Sequence, residues 1–153
     1  MPQRIISFPV NTVFASTDLD QPTLMERYEE NGNLYICLKG VASTVVGSVV
    51  TYDEVGVSTL LVGNAIGLVA IAQAIVDTTS KRGWYLIVGS CQAKVSAGFV
   101  DNANCYATAT AGEVDDAIVA GDRVKNMIGR SAIASGTALV QVSYPFMDDA
   151  LAA

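Results

Sequence analysis

The period of the apolar residues constrains this chain more than any other feature. From Asn33 onward they recur at every second position. Leu34, Ile36 and Leu38 alternate with Tyr35, Cys37 and Lys39. Trp84, Leu86 and Val88 alternate with Tyr85 and Ile87, and Cys91, Ala93, Val95 and Ala97 with Gln92, Lys94 and Ser96. Near the end, Val140, Val142 and Tyr144 alternate with Leu139, Gln141 and Ser143. Successive side chains of a strand point to opposite faces, so a period of two marks β-structure. Turn-formers separate the runs: the polar stretch 77–83, Ala111-Gly112, Ala120-Gly121-Asp122, and Ser135-Gly136 at the place of a tight hairpin. Further runs at 45–52, 58–62, 66–71, 103–110 and 124–133 bring the expectation to about eight short strands. Such a series predicts an all-β domain over residues 33–147, built as a small β-barrel or β-sandwich. The stretch LVAIAQAIV at 68–76 fits either a strand or a helix.

Residues 1–32 follow a different pattern. They hold Pro2, Pro9 and Pro22, while the only other proline is Pro145. Prolines at this spacing exclude a long helix or a central strand. The stretch also carries Asp18, Asp20, Glu26, Arg27, Glu29 and Glu30 ahead of an Asn31-Gly32 turn. It is expected to be an extended N-terminal arm, with a short helix possible at 24–30. Ile5, Ile6, Phe8, Val10, Val13 and Phe14 could dock on a partner or fold back on their own domain. Residues 148–153 form a short C-terminal tail, expected to fray.

Composition narrows the function classes. The hydrophobic fraction is 51% and the charged fraction 16%, against about 45–50% and about 25% in ordinary domains. Two explanations are open: a surface buried against partners, or a core rich in small residues. The net charge is −6 and the nine basic residues are scattered, with one adjacent pair, Lys81-Arg82. A phosphate backbone needs clustered cations, so nucleic acid is not an expected partner. Leu60 to Val76 is uncharged and approaches the length of a membrane span, but Asn64, Gln73, Gly63 and Gly67 interrupt it. No membrane role is expected. Met1 to Ile6 lacks the long apolar core of a signal peptide, so secretion is not expected. Cys37, Cys91 and Cys105 are odd in number, match no CxxC pattern and lie in apolar stretches, as in a reducing compartment.

Little in the sequence suggests catalysis. The chain has no histidine, which removes the commonest general base and zinc ligand. It contains no G-x-S-x-G, no P-loop and no G-x-G-x-x-G. Asp53-Glu54, Asp115-Asp116 and Asp148-Asp149 are paired carboxylates, but neighbours on a strand face opposite ways and cannot readily share a proton. Asp101-Asn102-Ala103-Asn104 is the nearest approach to a calcium loop and lacks its full pattern. No enzyme activity, metal or cofactor is expected. Trp84, Tyr85 and the other tyrosines could line a groove, form the core or make subunit contacts.

The stretch from Gly83 to Val142 resembles the head decoration, or cement, proteins of tailed bacteriophages. The likeness rests on an aromatic-led strand after a turn (GWYLIVGSCQAKV), a small-residue strand and hairpin (YATATAGEVDDA), and a strand in which a glycine precedes an alternating run (RVKNMIGRSAIASGTALVQV). Val100-Asp101-Asn102 departs from it, standing where the family often has Gly-Asp. The resemblance implies a β-tulip-like, typically trimeric protein on the capsid exterior, assembled in the host cytoplasm. Its partners would be the major capsid protein, whose neighbouring subunits it bridges, and further copies of itself. On this reading Arg4, Ile5, Ile6, Phe8 and Val10 are candidates for the capsid contact, and Trp84 and Tyr85 for the oligomer interface. The alternative is a receptor- or glycan-binding β-domain of a phage fibre or surface protein.

Overall fold

The computed structural model describes residues 9–148. All its regular structure is β, in eleven strands joined into one antiparallel sheet. The first three are β1 (Val13–Ala15), β2 (Arg27–Glu30) and β3 (Asn33–Lys39). A compact group follows: β4 (Val49–Tyr52), β5 (Ser58–Leu60) and β6 (Gly67–Ala72). The long β7 (Lys81–Lys94) precedes β8 (Asn104–Ala107) and β9 (Val114–Asp115). The chain closes with β10 (Arg123–Gly129) and β11 (Thr137–Met147).

β7 is the spine of the sheet. Its fourteen residues span about 46 Å at the usual rise of a strand. One edge carries β3, which pairs along 82–88. The other edge is shared in succession by β1 at 81–83, β6 at 85–86 and β11 at 88–94. The alternating runs around 84–88 and 91–97 are therefore one strand up to Lys94, with Gly89 inside it. Gly89 has φ +124°, and a Cβ there would collide with the Asn33 side chain. It sits beside the register shift between Leu34 and Tyr35, as expected of glycine at a bulge.

Alternate residues of the central strands enter two separate cores. Tyr35, Cys37, Val69, Ile71, Trp84 and Leu86 face one, together with residues of β8 to β11. Ile36, Leu38, Ala70, Ala72, Tyr85 and Ile87 face the other, with Val50 and Tyr52 of β4. A sheet covered on both faces needs apolar residues at both parities, which accounts for the high hydrophobic fraction. The sheet is not closed into a barrel. A single parallel bridge between Lys39 and Val57, and a 2.8 Å bond from the Lys39 N–H to the Gly56 carbonyl, tie the end of β3 to the approach to β5.

The N-terminal segment differs from an unstructured arm over its described part. β1 pairs with β7 and Phe14 is buried, while Arg82 donates to the Pro22 carbonyl at 2.9 Å. Of the two open readings, residues 9–32 take the one in which the segment folds back. Position 32 is no boundary, because Asn31 and Gly32 (φ 52° and 82°) are the turn of the β2–β3 hairpin. Positive φ at both central residues is what a two-residue hairpin turn requires. Residues 24–30 hold strand β2 rather than a helix, since pairing to β3 satisfies their backbone across the sheet. The 68–76 stretch is strand through Ala72, paired to β4 and β7.

Candidate functional site

Trp84 and Tyr85 require a correction. Their exposures are 4% and 0%, so neither offers surface to another subunit. They occupy adjacent positions on β7 and therefore enter opposite cores. Tyr28 lies across Trp84 at 5.6 Å between ring centroids. Burial pushes the Tyr85 hydroxyl up to about 12, partly offset by the Ser58 and Thr44 hydroxyls. Both rings are core, the second of the roles open to them from sequence. Of the proposed capsid contacts, Val10 is half-buried and packs against the first core. Arg4, Ile5, Ile6 and Phe8 lie outside the described residues.

The candidate polar groups serve as braces. Asp53 Oδ1 accepts from the Val55 and Val57 N–H groups at 3.1 and 2.9 Å. Asp116 accepts from the Val100 N–H at 3.0 Å. Asp122, buried, accepts from the Asn64 N–H at 2.6 Å and joins two loops. In the 101–104 stretch, Asn102 receives Arg130 and Asn104 receives Arg123. Among the described residues no group of three His, Cys, Asp or Glu side chains could hold a metal ion. The thiols are free. Burial pushes Cys91 up to about 12, and burial followed by the Asp116 charge does the same to Cys105. Neither is a thiolate at neutral pH, so neither is a ready nucleophile. No helix among the described residues is long and apolar enough to cross a membrane.

Two surface features remain. One is a shallow groove of about 420 Å³ on β8, β10 and β11, lined by polar groups including Asn104, Arg123, Asn126 and Gln141 and by no aromatic ring. The other is a cross-strand row, Ser58–Tyr52–Leu68–Phe146–Lys125, in which each residue is paired with the next. Leu68 is 48% exposed and Phe146 half-buried. Ile66, 67% exposed, lines the same surface pocket as Tyr52 and Val57.

Tyr144 stands beside this row with φ +50°. A bulky side chain in the left-handed region is a genuine outlier, at a cost of order 1–3 kcal/mol. It arises where β11 leaves β7, after Ser143 pairs with Val88, to join β6 at the Phe146–Leu68 pair. Tyr144 and Pro145 make that crossing. The Tyr144 ring is 48% exposed, and the Arg27 guanidinium lies 5.8 Å from its centroid. Tyr52 senses both: burial raises its hydroxyl, Arg27 lowers it and Tyr144 raises it.

Tyr52 and Tyr144 are among the tyrosines that the sequence left open to a groove or contact role, while Ser58, Leu68, Phe146 and Lys125 carry no such signal. Tyr144 looks there like one more alternating position, and Arg27 like part of a charged arm. The Tyr-Pro-Phe interruption of an alternating run was the one available signal. Compared with known protein families, with curated proteins and with solved structures, the chain matches none.

Proposed function

We propose that this chain works by binding: a virion structural protein that decorates a bacteriophage head and stabilises it by bridging major capsid subunits. The observation that carries this reading is a doubly packed sheet with large apolar side chains left exposed on its loops. Leu19, Ile66 and Ile118 are 100%, 67% and 84% exposed, while both faces of β3, β6 and β7 are filled. Scattered exposed apolar residues are ordinary, but Ile66 and Val57 line one surface pocket, and apolar clusters mark surfaces that meet other proteins. The likeness of 83–142 to head decoration proteins supplies the kind of partner. Repetition over a head would multiply weak single contacts, more so if the unit is a trimer. The acidic net charge of −6 would keep such a protein, placed on the capsid exterior after assembly in the host cytoplasm, off packaged nucleic acid.

The capsid contact is proposed for Arg4, Ile5, Ile6 and Phe8. Val10, turned to its own core, is no longer part of it. Co-sedimentation with empty heads of the cognate phage tests the function. Saturable binding is expected, lost on deletion of residues 2–8. A chain that stays in the supernatant refutes the reading, and one that binds equally well without those residues refutes the contact.

A further inference from the structure

The groove on β8, β10 and β11 is made by a double irregularity in β10. Val124 and Met127 both enter the first core. Regular alternation from Val124 would turn Asn126 inward. Instead Asn126 is exposed, with φ +60°, a conformation that asparagine tolerates. Both ladders open at this place. The β10–β8 pairing passes from Val124–Cys105 directly to Ile128–Asn104, and the β10–β11 pairing from Lys125–Phe146 to Met127–Val142. Bulges of this kind re-aim side chains and are common beside functional sites.

The result is an apolar floor between polar walls. Ile128, half-buried, is paired with Asn104 on one side and Gln141 on the other. Arg123 donates to Asn104 at 3.3 Å, and Asn126 and Ser143 complete the polar lining. Among the described residues Arg123 makes no ion pair, and the side chains of Asn126, Gln141 and Ser143 make no hydrogen bond. No carboxylate lines the groove. Asp122, next to Arg123 in the chain, is buried on the Asn64 N–H. Asp115 shares a cross-strand row with Arg123, but Tyr106 stands between them, and its Oδ1 accepts from the Asp116 N–H. In a chain of net charge −6, the lining of this groove carries one cation and no anion.

We propose that the groove receives an extended acidic segment of another polypeptide. Its carboxylate would meet the part of the Arg123 fork not engaged by Asn104, since a guanidinium has five donors. The amides of Asn126 and Gln141 each offer a donor and an acceptor, the match to a peptide group. An aliphatic side chain of the segment would rest on Ile128. A saccharide fits less well, because no aromatic ring lines the groove to stack against a sugar face. The volume of about 420 Å³ falls in the range of small-ligand sites, enough for a few residues. This site is separate from the capsid contact assigned to residues 4–8 and stands or falls without it.

NMR titration of the full chain with a capped hexaglutamate peptide tests the proposal, with capped hexaglutamine and oligogalacturonate in parallel. The chain is itself acidic, so general attraction does not favour a polyanion. Saturable shifts are expected at Asn104, Arg123, Asn126 and Gln141, with hexaglutamate roughly tenfold tighter than hexaglutamine. R123Q should weaken hexaglutamate roughly tenfold. N126G keeps the left-handed backbone but removes the amide, and should weaken it several-fold. K94Q, outside the groove, should leave it unchanged. Circular dichroism checks the strand signal of each variant. Should R123Q lose that signal, R123K, which keeps the charge and loses the fork, supplies the comparison with a smaller loss. Equal affinity for the two peptides, shifts confined to another surface, or an Arg123 variant indistinguishable from K94Q overturns the proposal. Oligogalacturonate bound more tightly than hexaglutamate overturns it too, in favour of an acidic saccharide.

Discussion

Truncating Phe14 to alanine asks whether the N-terminal segment belongs to the folded domain. Phe14 lies on β1, three residues long and held by backbone pairing to Lys81, Arg82 and Gly83. So short a strand has little stability of its own. Its ring is only 3% exposed and belongs to the first core, with Trp84 and Leu86. Removing a buried phenylalanine ring costs about 3–5 kcal/mol, part lost transfer and part cavity. For a domain of this size each kcal/mol lowers Tm by about 2–4 °C. The expected fall in Tm is therefore of order 10 °C, accompanied by a lower urea midpoint at unchanged slope. A second outcome is built into the geometry. If β1 can detach at smaller cost, the loss is capped at that cost, and the amides of Val13 and Ala15 exchange faster than those of β7. Thermal melts and hydrogen exchange on the same variant read both quantities. A shift within about 0.5 kcal/mol, as for an exposed position, with no change in exchange at β1, would refute the folded-back segment and restore the free arm.

Two further outcomes follow from particular contacts. Gly40 stands against backbone: an added Cβ would collide with the Val76 carbonyl oxygen and lie 2.6 Å from that of Thr78. G40A should therefore cost at least about 1–3 kcal/mol by overpacking, and a denaturation midpoint equal to wild type would contradict it. Cys91 and Cys105 are held near 12 in the native state against an ordinary value of 9.0, and Cys105, which is buried, should react with a thiol reagent at pH 8 only after denaturation. They keep protons that the unfolded chain releases near pH 9, so stability should fall as pH rises above that value. Fast native labelling of Cys105, or a urea midpoint no lower at pH 10 than at pH 8, would count against this reasoning.

Much of the strand pattern was open to reading because local rules and tertiary structure agree there. Asn31-Gly32 and Ser135-Gly136 both take positive φ in two-residue turns, as their composition demands. Alternation located β3, β7 and β11. It could not show that both parities are buried, because Ile36 and Cys37 are equally apolar and only the sheet's surroundings decide which faces meet solvent. Nor could it join the two runs of β7, since Gly89 reads as a stop in one dimension and as a bulge in three. β1 was hidden by prolines that lie outside it, and β2 by charges that are its own residues, Arg27, Glu29 and Glu30. The row around Tyr144 was hidden more deeply. It draws on β4, β5, β6, β10 and β11, with Arg27 of β2 beside it, and the positive φ at Tyr144 coincides with a change of pairing partner, which no local window contains.

The shared edge of β7 also bears on how the chain is completed during synthesis. Its partners come from residues 13–15, 34–39, 71–72 and 137–143, nearly the whole length of the chain. When a ribosome has made residue 94, the far half of that edge has no partner, and none exists for another forty-odd residues of translation. For that interval Gly89 to Lys94 is an open strand edge in a nascent protein, a place where two growing chains could pair with each other. Closure waits on β11, the last strand in order among the described residues, so β7, the longest of those strands, is sealed only after β8, β9 and β10 have been made.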